Sequence, residues 1–157
     1  MAAKSALHRP QLKLEEFFDG SVKGFGFMHT RFGKLAQQFD ISAEGQWNGK
    51  TLALTLTETY QFDDGHRDNL NWQITKLSET RYRGVEDRLK GEAEGEQSAH
   101  HFRWRYVRDV PQKGGKTTRL TFDDCFYLRS PNLLMARASV SRFGFEIGVI
   151  TVSYVKA

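Results

Sequence analysis

Residues 50–62 read KTLALTLTETYQF, in which apolar and polar side chains alternate almost without a break. One face carries leucines and aromatic rings, and the other carries mainly threonines. Such period-two alternation is typical of a β-strand with one face buried. Glu58 interrupts the apolar face, where a carboxylate is costly unless it is paired, hydrogen-bonded or protonated. The stretch therefore predicts a sheet around an apolar interior, with a polar group set into that interior.

Turn signals recur at short intervals along the whole chain. Asn48-Gly49 and Asp64-Gly65 favour two-residue hairpins, because those turns need a positive φ. The segments between the turns predict ten antiparallel strands over residues 21–29, 34–47, 50–62, 66–77, 80–86, 89–96, 100–110, 117–128, 133–142 and 145–155. A short helix is expected within residues 12–18, turning its apolar side chains onto the body as a plug.

The regular run of hairpins predicts that the sheet closes on itself, since an open sheet would leave two exposed edges. Closing eight to ten strands gives a barrel just wide enough for side chains or one small ligand. We expect an all-β chain with one domain over residues 1–157. Residues 1–11 would form a tail, and residues 12–157 an antiparallel up-and-down β-barrel with a short N-terminal helix. An open β-sandwich is the alternative.

Composition excludes several classes of function. The 157 residues include 12 Phe, 5 Tyr and 3 Trp, which indicates a β-rich core or a ring-lined cavity. The net charge of +4 is spread over strands that also carry acids, so a nucleic-acid partner is not expected. No apolar run is long enough for a membrane-spanning helix. Cys125 is the single cysteine, and no histidines share a strand face at ligand spacing, so neither a metal nor another cofactor is expected.

The N-terminal residues, MAAKSALHRPQLK, lack the apolar segment of a signal peptide. The chain as given is therefore expected in the cytoplasm. A removed leader or lipoprotein anchor, and peripheral contact with a membrane, remain open. The oligomeric state is left undetermined.

Alternation places further polar residues among apolar neighbours. Asp124 shares a face with Phe122 and Phe126, and Arg137 shares a face with Leu133 and Met135. Two carboxylates in one low-dielectric interior repel, and a raised pKa follows unless a cation intervenes. Arg137 is the natural partner, since a guanidinium binds carboxylates through two hydrogen bonds. Besides Glu58 and Asp124, the predicted interior contains Leu52, Leu54, Leu56, Tyr60, Trp72, Ile74, Tyr82, Phe102, Trp104, Tyr106, Leu120 and Phe122.

Three interpretations fit Glu58, Asp124 and Arg137. They form a structural polar network, or they fix the polar end of a lipid-like ligand at the floor of an apolar pocket. In the third, Glu58 or Asp124 acts as general acid or base while Arg137 stabilises developing negative charge. No nucleophile stands beside a base, so covalent catalysis is not favoured.

Several segments resemble a bacterial family known as domain of unknown function 3833. They are LEEFFDGSVKGFG (14–26), GQWNG (45–49), WQITKL and RYRG (within 72–84), GEAEGE (91–96), FRWRY (102–106), TFDDCFYL (121–128) and ARASVSRFGF (136–145). The resemblance implies a lipocalin- or calycin-like barrel, and it includes Glu58, Trp72, Asp124, Arg137 and Ser139 among family-like positions. Many members carry a lipoprotein signal, which this chain does not show.

The favoured function is binding of a small hydrophobic or amphipathic ligand, such as a lipid or fatty-acid derivative, inside the barrel. Glu58, Asp124 and Arg137 would contact its polar end. Its apolar body would be lined by Trp72, Tyr82, Trp104, Tyr60 and Phe122. The leading alternative is a cofactor-independent isomerase or cyclase that uses a buried carboxylate as general acid or base. A scaffold with a filled interior is the third possibility.

Overall fold

The structure is a computed structural model that describes residues 11–156. Most of the predicted tail at residues 1–11 therefore lies outside the described residues. One short helix precedes ten strands. The elements are α1 (Leu14–Phe17), β1 (Gly20–Thr30), β2 (Leu35–Asn48), β3 (Ala53–Phe62), β4 (Arg67–Lys76), β5 (Arg81–Val85), β6 (Ala93–Ser98), β7 (His101–Pro111), β8 (Thr117–Ser130), β9 (Leu133–Arg142) and β10 (Phe145–Lys156).

The ten strands form a closed barrel in which sequence neighbours pair throughout. All pairings are antiparallel, and β1 closes the sheet by pairing with β10 as well as with β2. The seam runs from Val22 opposite Lys156 to Thr30 opposite Gly148. The predicted all-β, up-and-down barrel is confirmed, and the sandwich alternative is wrong. Closure removes the sheet edges that a hairpin series would otherwise expose.

The predicted third strand begins too early. The Asn48 side-chain oxygen accepts hydrogen bonds from the backbone N–H groups of Lys50 (2.9 Å) and Thr51 (3.3 Å). This turn extends through Leu52, so β3 starts at Ala53. Leu52 has a φ of 55° and a 46% exposed side chain, and its predicted place in the interior is wrong. Within residues 50–62, the predicted strand is therefore correct only from Ala53 onward.

Strands β5 and β6 are short, and the segment between them covers a gap in the wall. The predicted sixth strand began at residue 89, whereas β6 begins at Ala93. Leu89 instead forms an isolated bridge with Arg108 of β7. The first half of β4 and the second half of β7 therefore face residues 86–92 instead of a paired strand.

Helix α1 and its flanking residues close one end of the barrel. Leu12, Leu14, Phe17 and Phe18 are all buried, as expected for a plug. The Lys156 ammonium donates to backbone carbonyls at the end of the helix, those of Glu16, Phe17 and Asp19. Lysine at this place satisfies carbonyls that lack partners within the helix. None of the described residues forms a helix long and apolar enough to cross a membrane.

A buried polar contact ties the plug to the wall. The Tyr82 hydroxyl donates to Glu15 Oε1 at 2.7 Å, and the Lys76 ammonium donates to Glu15 Oε2 at 2.8 Å. Burial alone would raise the pKa of Glu15, but the hydrogen bonds from Lys76 and Tyr82 lower it below its ordinary value. The carboxylate therefore stays charged and holds α1 against β4 and β5.

Replacing Gly45 by Ala is expected to loosen the plug. A Cβ at Gly45 would lie 1.7 Å from the Phe18 carbonyl oxygen, so the backbone must move. We expect Gly45→Ala to lower the free energy of unfolding by about 1–3 kcal/mol or more, the usual range for overpacking. Denaturant unfolding followed by tryptophan fluorescence measures this change.

Gly49→Ala is the matched control. A Cβ at Gly49 would meet its nearest neighbour, Trp47 Nε1, at 3.7 Å, an ordinary contact. We expect a change within about 0.5 kcal/mol, as at other permissive surface sites. Equal effects of the two substitutions would contradict the close approach of α1 to β2.

Candidate functional site

A cavity of about 440 Å³ lies inside the barrel at the end opposite α1, which we call the mouth. It is lined by the last residues of odd-numbered strands, such as Tyr60 and Val140, and the first residues of even-numbered ones, such as Leu70 and Phe122. The lining reaches solvent at exposed Ala36. The interior is therefore not filled, which counts against a purely structural scaffold.

The wall of the cavity is mainly apolar. Tyr106 and Phe122 stack on it with ring centroids 4.9 Å apart. The remaining apolar lining consists of Met28, Phe39, Phe62, Leu70, Val110, Leu120, Phe126, Ala136, Ala138, Val140, Ile147, Ile150 and Val152. Such a surface, with few polar groups, is typical of pockets that hold small molecules.

Asp124 supplies a polar group at the inner end of this cavity. It lies on β8 between Phe122 and Phe126 on the inner face, with 8% of its surface exposed. Its Oδ1 atom is buried and has no hydrogen-bond partner within residues 11–156. Burial raises the pKa of Asp124 well above its usual range, and the nearby Glu58 carboxyl raises it further, while a hydrogen bond with Tyr106 acts in the opposite direction. Burial and the neighbouring carboxyl therefore both favour the protonated form of Asp124.

Glu58 lies deeper, beside a small void of about 40 Å³ between the cavity and the plug. Its Oε1 atom accepts a hydrogen bond from Trp72 Nε1 at 3.0 Å. Burial raises the pKa of Glu58 to about 7, against the opposing effects of the Trp72 hydrogen bond and the Arg108 charge. Asp124 lines both the void and the cavity. The void has space for about two or three water molecules, so it can connect the two carboxyl groups.

Three tyrosines complete the polar interior. Burial raises the pKa values of Tyr60, Tyr106 and Tyr154 well above the ordinary value, and the nearby Glu58 and Asp124 carboxyls add to the shift. Their hydroxyls therefore keep their protons and remain hydrogen-bond donors. Together with the Glu58 and Asp124 carboxyls, whose pKa values are raised, they make a hydrogen-bonding site inside the barrel.

Arg108 forms a buried ion-pair cluster that sequence analysis missed. Its guanidinium donates to Asp68 Oδ1 at 3.0 Å and to Glu86 Oε1 at 3.0 Å, and its side chain is 2% exposed. Burial alone would lower the pKa of Arg108, but the hydrogen bonds to Asp68 and Glu86 raise it. Arg108 continues the inward row of Trp104 and Tyr106. The period-two signal was therefore present in the sequence.

The cluster lies where β5 and β6 end too early to pair. Asp68 is on β4, Arg108 is on β7, and Glu86 is in the segment that crosses between them. Two backbone hydrogen bonds support the crossing, from Lys90 N to Val107 O at 2.9 Å and from Asp109 N to Arg88 O at 3.0 Å. Ion pairs thus hold the wall where strand pairing does not.

The predicted partnership of Arg137 with the interior carboxyls is wrong. Arg137 is exposed on the outer face of β9, where it lies opposite Cys125 and Thr151. The inner face of β9 is the even-numbered one, since Ala138 lies opposite Asp124. Both faces of this strand carry apolar residues, so the alternation in the sequence did not show which face points into the barrel. Ser139 also lies outside the cavity lining, and its hydroxyl donates to Glu146 at 2.7 Å.

The predicted lining residues fall into three places. Tyr60 and Phe122 line the cavity, as does Asp124. Trp72 and Trp104 line the small void beside Glu58, with ring centroids 5.4 Å apart. Tyr82 lines neither space and packs under α1, so its predicted place in the lining is wrong.

The sequence model of a family described as "Protein of unknown function (DUF3833)" matches residues 2–156. The chain belongs to the DUF3833 family. No curated protein matches it. A crystal structure of a protein of unknown function from the DUF3598 family of Nostoc punctiforme is similar, with a TM-score of 0.66 and 10% sequence identity. The match covers 100% of this chain but 53% of that protein, so this chain spans about half of its length. At this identity the likeness concerns the fold alone.

No group of three or more His, Cys, Asp or Glu side chains within residues 11–156 is arranged to hold a metal ion.

Arg108→Met is expected to destabilise the protein strongly. The substitution leaves Asp68 and Glu86 buried without a cation, which costs about 3–5 kcal/mol of unfolding free energy. Restoring neutrality with Asp68→Asn and Glu86→Gln in the same chain should recover much of the loss. Denaturant unfolding of the wild type, of Arg108→Met and of the triple variant measures both the loss and the recovery.

Arg103→Met is the control for this prediction. Arg103 also binds a carboxylate through two hydrogen bonds, but its side chain is 49% exposed and that of its partner Asp123 is 37% exposed. Solvent screening makes such pairs weak, so we expect little change. If Arg103→Met lost as much unfolding free energy as Arg108→Met, burial would not explain the strength of the Arg108 ion pairs.

Glu58→Gln is expected to stabilise the protein at alkaline pH. The unfolded chain releases the Glu58 proton near pH 4.5 and the folded chain near pH 7. Stability from the retained proton is therefore present below pH 4.5 and is lost as the pH rises through 7. At pH 8 the variant should exceed the wild type by up to about 3 kcal/mol.

Urea unfolding at pH 5 and pH 8 tests the prediction, since glutamine keeps the oxygen that accepts from Trp72 but does not ionise. The advantage of the variant should grow with pH. A variant that is less stable than the wild type by more than about 3 kcal/mol at both pH values would instead place Glu58 in a structural network.

Proposed function

We propose that this protein binds one small amphipathic molecule inside the barrel, with the apolar body of the ligand against the cavity wall and a hydrogen-bond donor of the ligand at Asp124. The supporting observation is the Asp124 Oδ1 atom, which is buried at the inner end of the cavity without a partner. A buried polar atom without a partner costs about 1–3 kcal/mol. A ligand donor that reaches this atom recovers that cost on binding.

The dimensions of the cavity support this proposal. Its volume of about 440 Å³ falls within the range of ordinary small-molecule sites, about 300–1,000 Å³. The apolar wall favours a hydrocarbon or ring system, because burying apolar surface contributes about 25 cal/mol per Å². The cavity opens at the mouth and is closed by α1 at its other end, so a ligand enters through the mouth.

The charges around the cavity favour a hydroxyl or amine over a deeply placed carboxylate. A carboxylate has no hydrogen-bond donor for Asp124 Oδ1 and is repelled by Glu58 once Glu58 ionises above pH 7. Arg108 is already bound by Asp68 and Glu86. The predicted cation at the inner end, Arg137, is on the outer face. A fatty acid would instead place its carboxylate at the mouth near Arg142, which leaves Asp124 without a partner.

A pair of substitutions on adjacent residues tests the site. Ala138→Phe adds a ring inside the cavity, whereas Arg137→Phe adds one to the outer face of the same strand. We expect N-phenyl-1-naphthylamine, an apolar probe with one N–H donor, to fluoresce on binding the wild type. Ala138→Phe should weaken binding by about tenfold or more, a change of about 1.4 kcal/mol, and Arg137→Phe should leave it unchanged.

Displacement of the probe identifies the polar group. Dodecanol, dodecylamine and dodecanoate share one chain and differ at the head. At pH 8 we expect the alcohol and the amine to displace the probe at lower concentration than the carboxylate. Absence of probe binding to the wild type, or equal binding by both phenylalanine variants, would refute the cavity as the binding site.

Acid–base catalysis on such a molecule is a second candidate function. The observation that favours it is the Glu58 pKa of about 7, which matches the requirement for a general acid or base near neutral pH. Asp124 would contact the substrate, since it lines the cavity, and Glu58 would exchange protons with it through the small void. An isomerase would convert its ligand and lose conversion, but keep binding, in Asp124→Asn. A carrier would release its ligand unchanged.

A further inference from the structure

Two neighbouring hairpins at the mouth end in the same three residues. Arg31-Phe32-Gly33 lies in the turn between β1 and β2, and Arg142-Phe143-Gly144 comprises the last residue of β9 and the two-residue turn before β10. These hairpins are adjacent because β1 pairs with β10 across the closing seam. The Arg31 backbone N–H donates to the Ile147 carbonyl at 3.1 Å and joins them directly. We call these two turns the twin tips.

The twin tips present large apolar side chains to solvent. Phe32 is 87% exposed, Phe143 is 85% exposed, and Phe145, which follows the second tip, is 70% exposed. Phe143 also has a φ of 53°, a conformation that bulky side chains rarely adopt. Turns of this kind ordinarily carry Asn or Gly. At Phe143 the chain therefore holds an aromatic ring outward in a turn conformation that Asn or Gly adopts more readily.

The surroundings of the tips are basic. The guanidinium of Arg31 lies 5.1 Å from the Phe32 ring centre, and that of Arg142 lies 4.9 Å from the Phe143 ring centre. On the side of the mouth that carries the tips, the hairpin turns at residues 31–34, 63–66, 112–116 and 143–144 hold four bases and two acids, namely Arg31, Lys34, Lys113, Lys116, Asp63 and Asp64. The segment 86–92, which lies across the barrel from the tips, holds two bases and three acids. Hairpin turns at the plugged end carry Lys50 and Glu79, one base and one acid.

We propose that the twin tips dock the mouth on a lipid bilayer that carries anionic headgroups. Phe32, Phe143 and Phe145 enter the boundary between headgroups and acyl chains. Arg31, Lys34 and Arg142 face the lipid phosphates, with their stems along the aromatic rings. Apolar insertion and attraction to anionic lipid together are the two contributions that make peripheral binding stable.

A second copy of the chain fits this surface less well. In a twofold dimer the same patch meets itself, so Arg31 and Arg142 of both copies would come together. Rings at the tips of protruding turns also bury little area against another convex surface. A soft lipid interface accepts protruding rings and supplies the opposite charge, which favours the bilayer as the partner.

Sedimentation with vesicles tests the docking. We expect the wild type to sediment with phosphatidylcholine vesicles that contain phosphatidylglycerol, and to do so less with phosphatidylcholine alone. Binding should weaken as salt rises, because exposed charges more than about 10 Å apart are screened at 0.1 M. Phe32→Ser with Phe143→Ser should lower the partition coefficient by about tenfold or more, given the apolar area that two rings withdraw from water.

Leu77→Ser is the matched control, since Leu77 is 53% exposed at the plugged end, after β4. We expect this variant to bind vesicles like the wild type, and both variants to unfold at the wild-type denaturant midpoint. Wild-type protein that stays in solution with anionic vesicles would overturn the proposal. So would a double serine variant that sediments normally, or a wild-type dimer that the double variant converts to monomer without any vesicle binding. None of these measurements depends on a ligand in the cavity.

Discussion

The ion pairs of Arg108 hold a part of the barrel wall that strand pairing leaves open. Because β5 and β6 are short, they do not reach the part of the wall near the mouth where residues 86–92 cross between β4 and β7. Asp68 and Glu86 bind the guanidinium from β4 and from this segment, respectively. The cavity shares this wall, since Asp68 and Arg108 both line it. The same charges act on Glu58, whose pKa Arg108 lowers and both acids raise. The cluster therefore closes the wall and also contributes, after burial and the Trp72 hydrogen bond, to the proton affinity of Glu58.

The interior polar groups differ in how completely their hydrogen-bonding capacity is satisfied. This difference separates groups that hold the fold from groups that remain available to a ligand. Arg108 and Glu15 are buried, charged and paired at opposite ends of the barrel. Among the residues that the structure describes, Asp124 between them has an oxygen without a partner, and Glu58 accepts a hydrogen bond from Trp72. Paired groups at the ends fix the frame, because breaking a buried pair is costly. Incompletely satisfied groups in the middle retain the capacity to bind a ligand or exchange a proton.

Period-two alternation in the sequence predicted the ten strands and the inward placement of Glu58 and Asp124, because each strand buries one face against a common interior. The alternation predicted the wrong orientation of a side chain where a turn or the strand register sets that orientation. Leu52 continues the alternation of β3, but the Asn48 side chain holds the chain in a turn there. Arg137 lies on a strand with apolar residues on both faces, and its side was set by the register with β8. Arg108 was readable from Trp104 and Tyr106, yet its partners lie 40 and 22 residues away in sequence. Pairing at such distances depends on tertiary structure.

The two ends of the barrel differ in structure, since one is sealed by the plug and the other opens to solvent at the mouth. The plugged end is sealed by buried Phe17 and Phe18 and fixed by Lys156, so exchange with the surroundings takes place at the mouth. An apolar molecule that leaves a bilayer through water exposes its whole surface, at a cost proportional to its apolar area. In the proposed docking, aromatic tips in the lipid interface would lower that cost, since the molecule would pass from acyl chains to an apolar cavity directly. Under these two proposals, the exposed rings around the mouth and the apolar interior with its unpaired carboxyl oxygen would serve the same transfer of a ligand from bilayer to cavity.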